Sequence, residues 1–408
     1  MIETIKPLNI EELRAAVAGA AERAIPLEIL GRGSKRDLGH PVEAQAVIDL
    51  SRLSGVRLYE PEELVLKAGA GTSLAEIEAV IAQRGQILAF EPPDLAPLYG
   101  GPAGSGSIGG AIACNLGGPR RLKAGAARDH FLGFAAVSGR GEVFKAGGRV
   151  VKNVTGYDLA KLLAGSFGTL AVMSEITFKV VPAPEAARTL LVRTRDDADG
   201  LAVMTAALGS PHEVSAAAHL PGAVAARAAL PSPGSSAVTA LRLEGFGPSV
   251  AARVAAVTEM LGSHEAAELD TAASRIFWRE LAQLRVFAPD APLGAGRCVW
   301  RLSLPPSSAA RTIAAIARRV QAHAILDWGG ARLWLAVPES GDASVAILRK
   351  AAAESGGHAM LVRAPDALRA RIPVFPPQAA PLAALSARVK EGFDPRGILN
   401  PGRMVEGV

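Results

Sequence analysis

Residues 100–118 read GGPAGSGSIGGAIACNLGG and contain a literal G-x-G-x-x-G at Gly104, Gly106 and Gly109. That spacing marks a Rossmann dinucleotide site only when an apolar strand runs into it, a helix leaves it and an acid follows about 20 residues on. The approach here is EPPDLAPLYGG, with two adjacent prolines and a third close behind. Proline cannot donate to a ladder, so no central strand precedes the glycines. Asp129 lies at a suitable distance but follows RRLKAGAAR rather than a second buried strand. The Rossmann reading fails. What remains is glycine density, used either to turn a loop tightly or to form a backbone nest. Against such a nest a planar cofactor or a diphosphate can lie without meeting side chains. On this segment alone the two readings stand level.

A second loop favours the nest. GRGSK, residues 31–35, follows the apolar PLEIL and adds a serine and two cations to its glycines. It is not a Walker A loop, because no G-K-[ST] opens a helix at the required distance. GSFGTL, residues 165–170, is a third small-residue stretch. Three in one region point to one long ligand carrying a diphosphate.

The rest of the chain sets bounds. Its 408 residues are 49% apolar, enough for two or more domains with real cores. Aromatics are only 4%, and no run approaches the 18 or more apolar residues of a spanning helix. The N-terminus, MIETIKPLNIEELRAA, carries acids early and lacks an apolar segment, so no secretory signal is expected there. A cytoplasmic protein is expected. The net charge of +5 is mild for the length. The nearest basic cluster, Arg120, Arg121, Lys123 and Arg128, lacks interleaved aromatics for stacking on bases. It reads as a solvated surface or an anion-facing loop, and nucleic acid is not an expected partner. The two cysteines, Cys114 and Cys298, are too few for an iron–sulfur cluster. Cys114 sits among small apolar residues and reads as a packed thiol. The seven histidines show no H-E-x-x-H or similar spacing, and His323 with Asp327 falls on a strand pattern, so no metal site is expected.

Periodicity organises the chain further. Residues 9–23 read as a helix capped by Asn9, and 26–30 and 64–68 as strands. Ser73 with Glu76 makes a capping box ahead of another helix. Residues 131–137 and 142–144 flank the turn 138–141 as a hairpin, and 170–181 alternate as a long strand. Pro182 and Pro184 then mark a boundary. From 298 to 363 the order β-α-β-β-α-β is the ferredoxin-like unit, and 188–262 give a similar order, so two such units are expected side by side. Residues 271–297 show no clear period. Residues 380–391 are helical, and FDPRGILNPGRM closes the chain.

GRGSK, SIGGAIACNLGG, RDHFLGFAAVSGRGEV, KNVTGYDL with GSFGTL, and FDPRGILNPGRM, in this order, resemble the vanillyl-alcohol-oxidase, or PCMH-type, FAD-binding superfamily. Within it the chain is most similar to the FAD-binding E subunits of bacterial glycolate oxidases. The resemblance implies an α+β protein: a PCMH-type FAD-binding domain of two α/β subdomains at 1–182, and an α+β cap with ferredoxin-like units at 183–380. A C-terminal segment at 381–408 would return to the first domain. It also implies site residues. Gly31, Arg32, Gly33, Ser34 and Lys35 would receive the pyrophosphate of FAD. Ser107, Ile108, Gly109, Gly110 and Asn115 would line the second side. Gly168, Leu170, Val172 and Ile176 would approach the adenine and ribose half, and Asn400 the flavin edge. Ala171 stands where relatives often have glycine. Relatives with covalent flavin carry a histidine in the first loop, whereas Ser34 and Lys35 stand here, so the FAD is expected to be non-covalent.

Oxidising a 2-hydroxy acid needs a proton acceptor, a cation for the carboxylate and the flavin as hydride acceptor. Catalytic relatives bring histidines and acids together from the cap, and residues 300–370 show no such cluster. Those relatives also carry an arginine where Val151 stands. Lys152 and Tyr157 are available, but a surface lysine and a half-buried tyrosine read equally well. No catalytic residue is assigned. The resemblance implies a flavoprotein subunit beside a catalytic D subunit and an iron–sulfur F subunit. Together they would turn glycolate into glyoxylate, with electrons passing to the respiratory chain and any membrane association arising through the complex. A stand-alone FAD-dependent 2-hydroxyacid dehydrogenase and a redox-inert scaffold are the alternatives.

Overall fold

The computed structural model describes residues 2–149, 156–228 and 236–405. Its N-terminal half is built on two small sheets. The first is parallel, with Ala46–Asp49 between Glu3–Ile5 and Leu27–Leu30. Helix Ile10–Arg23 packs on it through Leu13, Val17 and Ala20. Its start is set by Asn9, whose side chain accepts from Glu12 N at 2.8 Å, which satisfies one of the free N–H groups of a first turn.

The second sheet is antiparallel, in the order Val56–Glu60, Val65–Gly69, Ala171–Lys179, Phe131–Ser138, Val143–Gly147. Phe131–Ser138 is buried along its whole length, which explains why its sequence is a continuous apolar run rather than an alternation. Helix Leu74–Ala82 is capped by Ser73, as its capping box predicts. Leu27, Phe131 and Phe178 from the two sheets and Leu13 and Ile77 from the helices join Ile398 and Leu399 from the C-terminus in one core.

The cap is one eight-stranded sheet. Its order is Ala266–Leu269, Ala186–Thr194, Ala237–Gly245, Ala216–Leu220, His323–Asp327, Arg332–Pro338, Arg297–Ser303, His358–Arg363. This is two ferredoxin-like units joined where His219 faces Leu326. Helices Asp197–Gly209, Gly247–Met260, Ala309–Ala317 and Val345–Glu354 supply the two crossovers of each unit. Alternation along the strands divides the side chains between two faces. Trp300 and Leu302 enter the core under the helices. Val299, Trp334 and Met360 join Leu95, Leu98 and Leu116 in a second core, which seats the sheet on the glycine-rich region.

Two places depart from the sequence reading. Residues 271–297 are not without period: Thr271–Ala282 is a helix capped by Asp270, burying Ser274, Trp278 and Leu281. A serine on the buried stripe masks that spacing, and it is buried because it hydrogen-bonds the Thr189 hydroxyl at 2.7 Å. The basic cluster is neither a solvated surface nor an anion-facing loop at Arg120. That side chain is turned inward, with Nε 2.9 Å from Glu244 Oε2. Arg242 in turn donates to both oxygens of Glu91, at 2.7 and 2.9 Å. Burial pushes the Glu244 carboxyl up, but the Arg120 hydrogen bond and the charges of Arg242 and Arg120 outweigh it and hold it at about 2.

Candidate functional site

The three glycine-rich stretches of the sequence meet in one cleft between the two small sheets and the C-terminal segment. Strand Leu27–Leu30 delivers residues 31–35 to its wall. Gly33 takes φ +79°, a left-handed conformation that glycine adopts without steric cost. Across the cleft, Ser107 caps the short helix Ile108–Ala113, its hydroxyl accepting from Gly110 N at 3.3 Å. A Cβ on Gly31 would collide with that same hydroxyl. A Cβ on Gly110 would lie 2.8 Å from Lys35 Cε. First and second stretches therefore interlock through residues that have no side chain to spare.

The third stretch is tied in by Asn400. Its Oδ1 accepts from Ile29 N and its Nδ2 donates to Phe167 O, both at 2.8 Å. Gly168 has φ +71°, and a Cβ there would lie 2.9 Å from Asn400 Nδ2. Behind it, Leu27 N donates to Ile398 O at 2.7 Å and Asn400 N to Leu27 O at 2.9 Å. The chain's last described segment thus completes the wall that its first strands begin. Replacing Asn400 with Ala would leave the Ile29 N–H and Phe167 C=O without partners. We predict a loss of about 1–3 kcal/mol in urea unfolding; a variant as stable as the parent would show that the two groups find water instead.

Gly31, Arg32, Gly33, Ser34, Lys35, Ser107, Gly109, Gly110, Gly168 and Asn400 all line the cleft. Ile108, Leu170, Val172 and Ile176 do not: they are buried in the core. Asn115 lies off the lining, and its Oδ1 accepts from Arg128 N at 3.1 Å. On strand Ala171–Lys179 the lining falls to Ala171 and Met173, and Val172 between them points the other way. A strand's period of two leaves the choice of face open until the sheet is known. Cys114, Phe167 and Arg403 also line the cleft. Cys114 is therefore a wall residue of the cleft rather than only a packed thiol. Burial raises its pKa, partly offset by Lys35. Val151 and Lys152 lie outside the described residues, and Tyr157 is 91% exposed rather than half-buried.

The electrostatics of the cleft suit an anion. Arg36 and Arg403 are both paired with Glu28. Lys35 has no carboxylate within ion-pair distance among the described residues, and its ammonium donates to Ser34 Oγ at 2.9 Å. Burial lowers its pKa, against the raising influence of Cys114 and Asp94. A diphosphate laid across Gly31, Gly110 and Lys35 would supply the missing charge and find the main chain bare. The residues present fit a dinucleotide of the FAD type. Among the described residues no group of three or more His, Cys, Asp and Glu is placed to hold a metal ion.

A cradle of this kind, beneath an α+β cap, defines a PCMH-type flavoprotein. The FAD binding domain family matches residues 3–147. Solved structures share the fold at low identity. Alkyldihydroxyacetonephosphate synthase superimposes with a TM-score of 0.71 over 98% of this chain and 76% of its own, at 16% identity. A substrate-bound p-cresol methylhydroxylase gives 0.71 over 99% and 88%, also at 16%. Among curated proteins, glycolate oxidase subunit GlcE of Escherichia coli (strain K12) is 34% identical over 381 residues, which are 93% of this chain and 92% of that one. The subunit GlcD of Bacillus subtilis (strain 168) is 31% identical over 46% of this chain and 38% of its own length. The chain belongs to the GlcE family of FAD-dependent oxidoreductases.

Proposed function

We propose that this chain is the FAD-holding E subunit of a glycolate-oxidising complex, supporting assembly or electron transfer beside a catalytic flavoprotein. One observation carries the FAD assignment: three small-residue stretches and an uncompensated lysine converge on a single cleft. The end-to-end likeness to a GlcE subunit supports the place in the complex.

In this reading residues 31–35 cradle the pyrophosphate, with Lys35 as its counter-charge and Gly33 shaping the loop. Ser107, Gly109 and Gly110 form the opposite wall, and Gly168 with Asn400 bounds the far side. Ala171 and Met173 take the places first assigned to Leu170 and Val172. Ser34 and Lys35 offer no histidine for attachment, which supports a dissociable cofactor. Bound FAD supplies a two-electron acceptor. The chain's own residues bind it, orient it and shield it beneath the cap. The division at residue 182 separates these two tasks, with 381–408 returning to the first.

What argues against independent turnover is the cap face over the glycine-rich segment. It presents Arg301, Arg332, Trp328 and Trp334, and no histidine–acid pair stands among them to take a hydroxyl proton. The D-type flavoprotein would do the chemistry on glycolate, and an F-type iron–sulfur subunit would carry electrons onward. No helix among the described residues is long and apolar enough to cross a membrane. In this reading the complex carries any membrane association, on the cytoplasmic side.

The test is an anaerobic absorbance spectrum of the purified chain before and after adding glycolate. A flavin spectrum that stays oxidised is the expected result. Bleaching would make the chain a stand-alone 2-hydroxyacid dehydrogenase, and absence of any flavin would sink the FAD assignment itself.

A further inference from the structure

Three guanidinium groups gather on the cap face beside residues 114–118. Arg301 stands opposite Trp334 and Met360 on neighbouring strands. Directly opposed residues share a face, and Trp334 and Met360 belong to the core that includes Leu98 and Leu116. Arg301 therefore looks toward the glycine-rich region. Its one side-chain hydrogen bond among the described residues goes to the Met360 sulfur, at 3.3 Å. Arg332 lies 3.1 Å from the centre of the Trp328 ring, donates to Gly117 O at 3.0 Å and leaves its Nε without a partner. Arg121 stacks on Trp328 at 4.9 Å. Among the described residues it has no carboxylate within ion-pair distance.

Elsewhere the fold compensates its buried arginines with care. Arg120 and Arg242 share Glu244 and Glu91, Arg369 holds Asp366, and Arg403 holds Glu28. Even Arg363, without a carboxylate, meets four backbone carbonyls. In the cluster, Asp327 favours the charge on Arg332, but no carboxylate does so for Arg301. Arg301 instead feels burial and the like charge of Arg121. Arg301 is half-buried, and of the five donors of its guanidinium the one paired among the described residues meets only a thioether, so the fork keeps donors to offer a ligand.

The surroundings narrow the missing partner. Arg301 interacts electrostatically with Cys114 and Tyr99, and Cys114 lines the cleft assigned to FAD. Trp328 and Trp334 supply flat apolar walls, and Trp328 is held in place by donating to Gly118 O at 3.0 Å. The planar fork of arginine matches two coplanar carboxylate oxygens.

We infer that Arg301, with Arg121 beside it, forms a site for a small carboxylate of the size of glycolate or oxalate, in the seam between the cap and the FAD-holding half. The inference rests on the proposed FAD reading only for the ligand's position next to the cofactor. The unbalanced charge belongs to the chain itself. A subunit that holds a carboxylate without a base to oxidise it would sense or retain substrate or product for its complex.

The experiment is calorimetric titration of the flavin-loaded chain with oxalate, with glycolate and with inorganic phosphate, in parallel under anaerobic conditions. Saturable one-to-one carboxylate binding is expected, with phosphate much weaker. Arg301→Met should weaken oxalate binding by about 30-fold, the loss of a charge-assisted bidentate contact, at unchanged flavin content and melting temperature. Arg301→Lys keeps the charge without the fork and should fall between. Arg188→Gln removes an arginine of the same sheet that pairs with Glu268, and should change nothing. A flavin-loaded parent that binds no carboxylate, or binds phosphate equally well, overturns the inference. So does an Arg301→Met chain that binds oxalate as the parent does. Flavin lost from Arg301→Met, together with no carboxylate binding by the parent, would assign the counter-charge to FAD and overturn it too. If the parent itself purifies without flavin, the FAD reading has failed separately, and the oxalate titration still decides the carboxylate site.

Discussion

Gly110→Val is expected to yield a folded, colourless chain. The added Cβ would meet Lys35 Cε at 2.8 Å, the far end of a flexible side chain that can swing aside without moving the backbone. Valine is a better helix former than the glycine it replaces, so the short helix loses nothing in propensity. The cleft, by contrast, loses twice. The branched side chain fills the space a diphosphate would occupy, and the displaced Lys35 no longer offers its charge. Losing one charge-assisted contact is worth about 1.5–3 kcal/mol, and the steric term adds to it, so FAD affinity should fall about 100-fold or more. Flavin per chain from the visible spectrum, read beside the melting temperature, checks the result. Gly109→Val is the contrasting control. Its Cβ would lie 2.7 Å from Ala70 O, and Gly109 N already donates to that oxygen at 2.9 Å. Nothing there can yield, so this second variant should fail to fold. Parental flavin content in a folded Gly110→Val chain would falsify the cleft as the FAD site.

Neighbouring glycines with opposite expected outcomes illustrate what the sequence can convey. Glycine density, the failed strand before Gly104 and the match among three separated loops are all visible in one dimension, and the three loops do meet in one cleft. Capping boxes at Asn9 and Ser73 locate helix starts because the signal is local: a side chain bonds a backbone N–H three residues on. The two β-α-β-β-α-β orders are legible for the same reason. The face a strand presents is not local. Ala171, Val172 and Met173 are small or apolar alike, and only the pairing of Ala171–Lys179 between its two neighbours decides which of them line the cleft. Phe167 and Arg403 were unreadable because their roles depend on the C-terminal segment lying against Leu27 and Ile29, a contact across most of the chain's length. Buried charge is the least legible. Arg120 and Arg121 are adjacent and identical in type, yet one is sealed among carboxylates and the other stacks on a cap tryptophan.

That sealed network should set the acid limit of the fold. Glu244 receives Arg120, Arg242 and the Ser215 hydroxyl, and Arg242 reaches back to Glu91 from the cap. The network thereby joins the cap sheet to the half that holds the cleft. Glu244→Gln removes the anion while leaving both arginines in place, and breaking a buried pair in this way costs about 3–5 kcal/mol at pH 7. The pH dependence gives a sharper signature. The Glu244 carboxyl is held at about 2 rather than its ordinary 4.5. Its stabilisation is therefore fully present above pH 4.5 and is lost as the pH falls through about 2, a change of about 3 kcal/mol. Asp327 works in the opposite sense: burial raises its carboxyl from 3.8 to about 6, so it costs stability as the pH rises through that window. Urea unfolding of parent and variant at pH 7, 4.5 and 3 separates the two, since Asp327 titrates in both chains and cancels in the difference. The gap between them should be largest at pH 7, similar at 4.5 and markedly smaller at 3. A gap that stays constant down to pH 3 would mean that the glutamine costs packing rather than charge, and that the arginines find their compensation elsewhere.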